Sequence, residues 1–305
     1  MQPDPASRTH PVNVGIGFLL IAIVGWGITW PVNKLILETV SPFWLAAIRS
    51  GIGALALFAI AIPRARLVVP TRHDMPVVLS ITLLHMVAFA LLAVIGLQFV
   101  PVGRSLVLAY TTPLWVMPGA ALLLGERLTV RRVVGVALGL VGLAVLFNPF
   151  VFDWSSRSAL IGHGLLLVAA LCWAASILHV RGHDWRATPF QLVPWEALLA
   201  TVILLAIAYV AVPWVPIDWN LELTALMIVT SIAGVAIPYW AVAMAGRSLS
   251  AISVSQGLLG APIVGVVFAT LALGEAPEVA VWIALVFVIG GVVVGTAGGR
   301  SRRRG

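Results

Sequence analysis

Residues 113–126 read PLWVMPGAALLLGE, and residues 262–275 read PIVGVVFATLALGE. Laid over each other without a gap, they place Pro113 on Pro262, Leu122 on Leu271, Leu124 on Leu273, and Gly125-Glu126 on Gly274-Glu275. The same register continues outward to Gly142 on Gly291 and Val145 on Val294. Upstream, a slightly shifted register sets Gly17, Trp26, Pro42, Phe43 and Ile60 on Gly164, Trp173, Pro189, Phe190 and Ile207. Self-similarity on this scale governs every later reading of a fold. It divides the chain into two copies of one unit, residues 14–148 and 160–297.

Composition names the solvent for those units. The chain is 61% hydrophobic and 10% charged, with a mean hydropathy of +1.09. A soluble domain carries roughly 25% charged residues. A bilayer core takes about 20 apolar residues per helix, and ten runs meet that need: roughly 14–37, 43–62, 75–97, 102–124, 132–148, 160–180, 190–212, 223–245, 249–273 and 279–297. Prolines such as Pro42, Pro63, Pro101, Pro149, Pro189 and Pro277 punctuate their ends. The expected class is an all-α membrane protein of ten transmembrane helices.

The net charge of +7 would suit nucleic acid, but the arginines stand in short loops between apolar runs. With the N-terminus inside, 14 of the 18 Lys and Arg fall on the inner side, leaving Lys34, Arg49, Arg104 and Arg157. That bias expects both termini in the cytoplasm, in the manner of a bacterial inner-membrane protein, with no nucleic-acid partner. The polar stretch Met1–Asn13 followed by a spanning run carries no cleavable leader pattern. The lone Cys172 lies within an apolar run and supports neither an intrachain disulfide nor a metal cluster.

Five spans is an odd number, so the second copy is expected to cross the bilayer inverted. Inverted repeats are a pattern of secondary transporters, whose substrate site lies near the midplane where the halves meet. The order Gly25-Trp26-Gly27, Pro42-Phe43 with Arg49, Pro113 to Gly125-Glu126, and Pro262 to Gly274-Glu275 resembles EamA-type members of the drug/metabolite transporter superfamily. The resemblance covers about residues 14–297. It implies a ten-helix carrier of small metabolites, with amino-acid exporters among its kind. The second half departs from the first at Trp173, which lacks flanking glycines, and at Glu196, which stands where the first half has Arg49.

A substrate path needs polar or aromatic groups facing inward. Val133 to Phe147 and Val279 to Gly295 have no polar side chain, so spans 5 and 10 are expected at the periphery. There Gly135, Gly139 and Gly142, with Gly291 and Gly295, allow close helix approach. Trp26, Trp30 and Asn33 share one helical face of span 1, with Thr29 beside them. Arg104, Thr111 and Trp115 share a face of span 4, and Ser250, Ser253, Gln256, Gly257 and Gly260 one of span 9. The expected substrate contacts are Trp26, Trp30, His85, Thr111, Trp115, Trp173, Ser253 and Gln256.

Mid-span Pro113 and Pro262 are expected to bend their helices beside a cavity, freeing the carbonyls of Ala109 and Leu258. Arg49 and Glu196 hold equivalent places in spans 2 and 7, at levels about 10 Å apart by helical rise. No direct ion pair is expected; each should bond serines, carbonyls or cavity water in its own half. Glu196 and His85 are the candidates for proton coupling. Glu126 and Glu275 end their helices at opposite faces, against the helix dipole; they read as structural or gating residues, with Arg127, Arg131 or a neighbouring loop offsetting Glu126. His163, His179 and His183 lie near span ends and read as interfacial rather than metal-binding.

The expected function is therefore secondary transport of a small polar or amphipathic metabolite, an amino acid or similar, as an exporter. It needs no cofactor and no metal, and it suits a monomer or homodimer. The rival from another class is a membrane enzyme acting on a lipid or lipid-linked substrate, for which no close catalytic pair is visible; Asp153, Asp184 and Asp218 are scattered over three loops. A channel would want a filter-like segment, and none stands out.

Overall fold

A computed structural model describes residues 11–62, 67–126, 129–148, 153–213, 216–249, 253–254 and 257–296. Among these residues the secondary structure is helical, with no strand. The helices are α1 (Val12–Ile36), α2 (Pro42–Ala61), α3 (Met75–Phe99), α4 (Val102–Leu124), α5 (Val130–Leu146), α6 (Arg157–Gly182), α7 (Pro189–Ala211), α8 (Leu221–Ala245), α9 (Gly260–Leu273) and α10 (Val279–Thr296). Seven of them, α1 to α4 and α6 to α8, are long and apolar enough to cross a membrane.

Local chemistry sets the ends. Pro42 and Pro189 open α2 and α7, where a missing N–H costs nothing. Ser41, Ser156 and Asn220 accept the orphan N–H of Trp44, Ala159 and Leu223 at 3.4, 3.2 and 2.7 Å. The repeated Gly-Glu finds its reason at the other end of its helix. Gly125 and Gly274 terminate α4 and α9 at φ of +65° and +67°, a left-handed turn that favours glycine.

Packing arranges these rods in pairs. The α5 helix lies against α10 and the second half of α4, while α1 packs on α8 and α9. The α2 helix packs on α7 and α8; α3 packs on α6 and α7; α4 also meets α6, α9 and α10. At the α5–α10 contact a methyl group on Gly135 or Gly291 would overlap the carbonyl of the other, so these glycines bring two backbones together. The expected peripheral pair is thus a packed pair, and it contributes no wall to the cavities below.

Among the described residues, two helices carry π-helical turns. In α3, Ile81–Phe89 is wound as π-helix, and in α8 so is Ile232–Ala236. In the register that sets Glu126 on Glu275, His85 falls on Gly234, so both wide turns occupy one place in the repeat. Such turns leave carbonyls without their helical donors and recur at functional sites.

Candidate functional site

The π-turn of α8 supplies the first contacts of the site. Its neighbouring carbonyls are claimed from other helices: Arg49 Nε donates to Thr230 O at 3.4 Å and Nη2 to Gly234 O at 3.5 Å, while Trp26 Nε1 donates to Gly234 O at 3.2 Å. The Thr230 hydroxyl donates to Asn33 Oδ1 at 2.5 Å. Arg49 therefore bonds carbonyls as expected, but those of the second half rather than its own, because α2 packs directly against α8. No ion pair joins Arg49 to Glu196 among the described residues.

These groups enclose a cavity of about 110 Å³ bounded by Trp26, Trp30 and Asn33 of α1, Arg49 of α2, His85 and Phe89 of α3, Tyr110, Trp173 and Tyr239. A second cavity, of about 640 Å³, lies toward the other end of the bundle. Its walls include His85 again, Trp173 and Ser176 of α6, Phe190, Val193 and Glu196 of α7, and Tyr239 and Arg247 around the end of α8. The larger falls in the range of about 300–1,000 Å³ usual for small-molecule sites.

The two cavities share His85, Trp173 and Tyr239. His85 lies flat on Trp173, with centroids 4.9 Å apart and an interplanar angle of 2°, and its Nδ1 stands 3.4 Å from the Tyr239 hydroxyl. Trp26 meets Tyr239 edge-on at 5.8 Å, and Phe89 and Tyr110 approach Trp173 at 5.0 and 6.2 Å. The result is a layer of rings between two spaces. Such a layer can hold an apolar or aromatic group by stacking while its hydroxyl and imidazole offer hydrogen bonds.

Of the sequence candidates, Trp26, Trp30, His85, Trp173, Arg49 and Glu196 border one or both cavities. Thr111 and Trp115 border neither. Thr111 is wholly buried, with its hydroxyl donating to Leu108 O at 2.6 Å and accepting from Trp115 Nε1 at 3.1 Å. Trp115 faces a separate groove between α4 and α6 with Leu171, His179 and His183. The break before Pro113 is real, since α4 is interrupted at Tyr110 and Thr111, but the freed Ala109 carbonyl is taken by the Thr112 hydroxyl at 2.8 Å. The bend presents Tyr110 to the cavity instead. Pro262 is buried in the first turn of α9, and the Leu258 carbonyl accepts from Ala261 N at 3.0 Å. Ser253 is exposed and lines neither cavity, and Gly257 packs on Leu19. Gln256 and Ser250 lie outside the described residues.

Sequence reasoning missed Tyr239 and Phe89. Tyr239 was visible in principle: it is one of three tyrosines in the chain and lies inside an apolar run, the criterion that selected the tryptophans. Phe89 had no distinguishing sign among the apolar residues of α3.

Both ends of the bundle are tied. At one, Lys34 Nζ donates to Leu97 O at 2.6 Å and Arg104 pairs with Glu278 at 2.6 Å. There the Glu275 carboxylate accepts from Val102 N at 2.9 Å, at the positive N-terminus of α4, which offsets its own unfavourable helix end. At the other end, Glu126 is offset by Arg132 at 2.8 Å and by Arg181; Arg127 lies outside the described residues. Beside it Asp74 accepts from the Thr71 hydroxyl at 2.6 Å and from Arg186 N at 2.7 Å, joining two loops. Those bonds, the Thr71 hydroxyl foremost, hold the Asp74 carboxyl well below the usual carboxylate range. His179 and His183 sit at this end as expected, and no metal-binding group of three occurs among the described residues.

The model of the EamA-like transporter family matches residues 13–148 and again 160–296. A "Probable amino-acid metabolite efflux pump" of Escherichia coli (strain K12) is 30% identical over 299 residues, spanning 93% of this chain and 95% of its own. A riboflavin transporter of Rhizobium johnstonii is 30% identical over 195 residues, 63% of this chain and 59% of its own. A solved crystal structure superposes with a TM-score of 0.63 across 95% of this chain and 98% of its own, at 21% identity, a likeness of fold.

Proposed function

This chain belongs to the EamA-like transporter family, and on that premise we propose that it is a secondary transporter working by alternating access. The observation that carries the mechanism is the relation between its two cavities. Trp26, Arg49 and Gly234 border the first; their repeat equivalents Trp173, Glu196 and His85 border the second. Each cavity thus draws on both copies of the repeat, and the two meet at the His85–Trp173–Tyr239 layer, whose residues border both.

The helix pairings support a two-fold relation between the copies, and the odd number of spans in each makes it an inversion. Exchanging α1–α5 with α6–α10 turns the α1–α8 contact into α6–α3, α1–α9 into α6–α4, and α2–α8 into α7–α3, and all of these occur. The pairs α2–α7 and α5–α10 map onto themselves. On this reading all ten helices cross the membrane, with both termini and the larger cavity on the cytoplasmic side. The basic residues Arg132, Arg181 and Arg247 then fall inside, in keeping with the positive-inside bias. Two nearly equivalent halves give two nearly isoenergetic states, one open to each side.

The cargo on this proposal is a small amphipathic metabolite, an amino acid or similar, moved outward. Ring faces at the layer suit its apolar part, and Arg49, Asn33, Glu196 and Ser176 suit its polar part. The names of the Escherichia coli and Rhizobium johnstonii relatives, an amino-acid metabolite and a flavin, both fit a ring-lined path. Proton coupling, in this scheme, falls to Glu196 or His85.

The test is flux. Proteoliposomes holding the purified protein should take up one or more radiolabelled amino acids or related metabolites without altering them. Trp173→Ala should raise the half-saturating concentration about 2- to 12-fold, the equivalent of an aromatic contact worth roughly 0.5–1.5 kcal/mol. Chemical conversion of a lipid or lipid-linked substrate without flux would instead favour the membrane-enzyme reading.

A further inference from the structure

Glu196 is 2% exposed and stands in the wall of the larger cavity. Its Oε1 has no hydrogen-bond partner among the described residues. No lysine, arginine or histidine stands within ion-pairing distance of its carboxylate there. Its peptide carbonyl is already engaged by the Thr82 hydroxyl at 3.3 Å. A carboxylate oxygen only accepts, and a buried charge without a partner is costly. The same wall carries the rings of Trp173, Phe190 and Tyr239, whose faces attract cations.

We propose that Glu196 is the counter-charge for a cationic nitrogen of the transported molecule, so that the substrate is an amine with an apolar body. Its ammonium approaches Glu196 from the larger cavity and its body lies against Trp173 and Phe190. This rests on the carrier reading and gives it a substrate chemistry. The nearby arginines do not neutralise Glu196. Arg181 lines the same cavity but is paired with Glu126, and Arg49 spends its guanidinium on the carbonyls of α8. Arg247 lines the same cavity beyond the end of α8 and suits an acid group at the far end of such a molecule.

The full-length protein in lipid nanodiscs can be titrated calorimetrically with 2-phenylethylammonium and with its neutral analogue 2-phenylethanol. Wild type should bind the amine at least tenfold more tightly than the alcohol. Glu196→Gln, which keeps the side-chain volume, should abolish that preference while leaving the alcohol affinity unchanged, and Glu196→Asp should keep part of it. The inference falls if wild type binds the amine no more tightly than the alcohol, or if Glu196→Gln weakens both alike. A solute flux that persists without amine preference removes this inference alone. Amine preference without flux of any solute removes the carrier reading and leaves the site.

Discussion

Two adjacent glycines of α10 should respond to the same substitution with opposite signs. An alanine methyl at Gly290 meets nothing within 4 Å, whereas at Gly291 it meets the carbonyl of Gly135 and lies 3.0 Å from Gly139 N. Both substitutions gain the same helix propensity, about 0.8–1.0 kcal/mol, so the comparison cancels it. What remains is the overlap, and backbone atoms cannot swing aside as a side chain would. The helices must separate, which by the cost of overpacking amounts to roughly 1–3 kcal/mol. Gly290→Ala should therefore stabilise the protein, and Gly291→Ala should fall below it by that margin. Thermal unfolding in detergent at one scan rate is the assay. With about 2–4 °C per kcal/mol for a large domain, the two midpoints should differ by several degrees. Gly135→Ala combined with Gly291→Ala should cost less than the sum, since one separation serves both. Substrate affinity should not move, because neither residue borders a cavity. Identical midpoints for Gly290→Ala and Gly291→Ala would refute the packing argument.

Two further outcomes can be checked directly. Asp74→Asn should lower the thermal midpoint at pH 7, because the folded carboxyl titrates below its unfolded value. That stabilisation is present above the ordinary carboxylate pKa of about 3.9 and is lost as pH falls through the depressed folded value; a deficit that stays constant from pH 7 to pH 3 would contradict the assignment. Reporters fused at Gly305 and between Arg64 and Asp74 should read cytoplasmic, and one beside Asp218 external. An external C-terminus would require an odd number of spans and end the inverted-repeat reading.

The apolar runs, the duplicated Gly-Glu and the small-residue faces of α5 and α10 determined the helical class, the C-terminal ends of α4 and α9, and the close approach of α5 to α10. Those are local properties: burial period, a left-handed cap, the absence of a side chain. Trp26, Trp173 and His85 were legible as cavity-lining residues because each is a polar or aromatic exception in an apolar run, and the bilayer makes such exceptions costly. The same rule also picked Thr111 and Trp115, which border neither of the two cavities. Local hydrogen bonds can satisfy a buried hydroxyl, as Leu108 O satisfies Thr111, and nothing in the sequence reports that. Only the tertiary structure decided that Arg49 reaches the opposite half, that Tyr239 completes the ring layer, and that one layer closes two cavities. The π-turns are the physical reason. An extra residue per turn shifts the face of every side chain beyond it and leaves carbonyls for other helices to claim, and no periodicity read at 3.6 residues per turn reveals it.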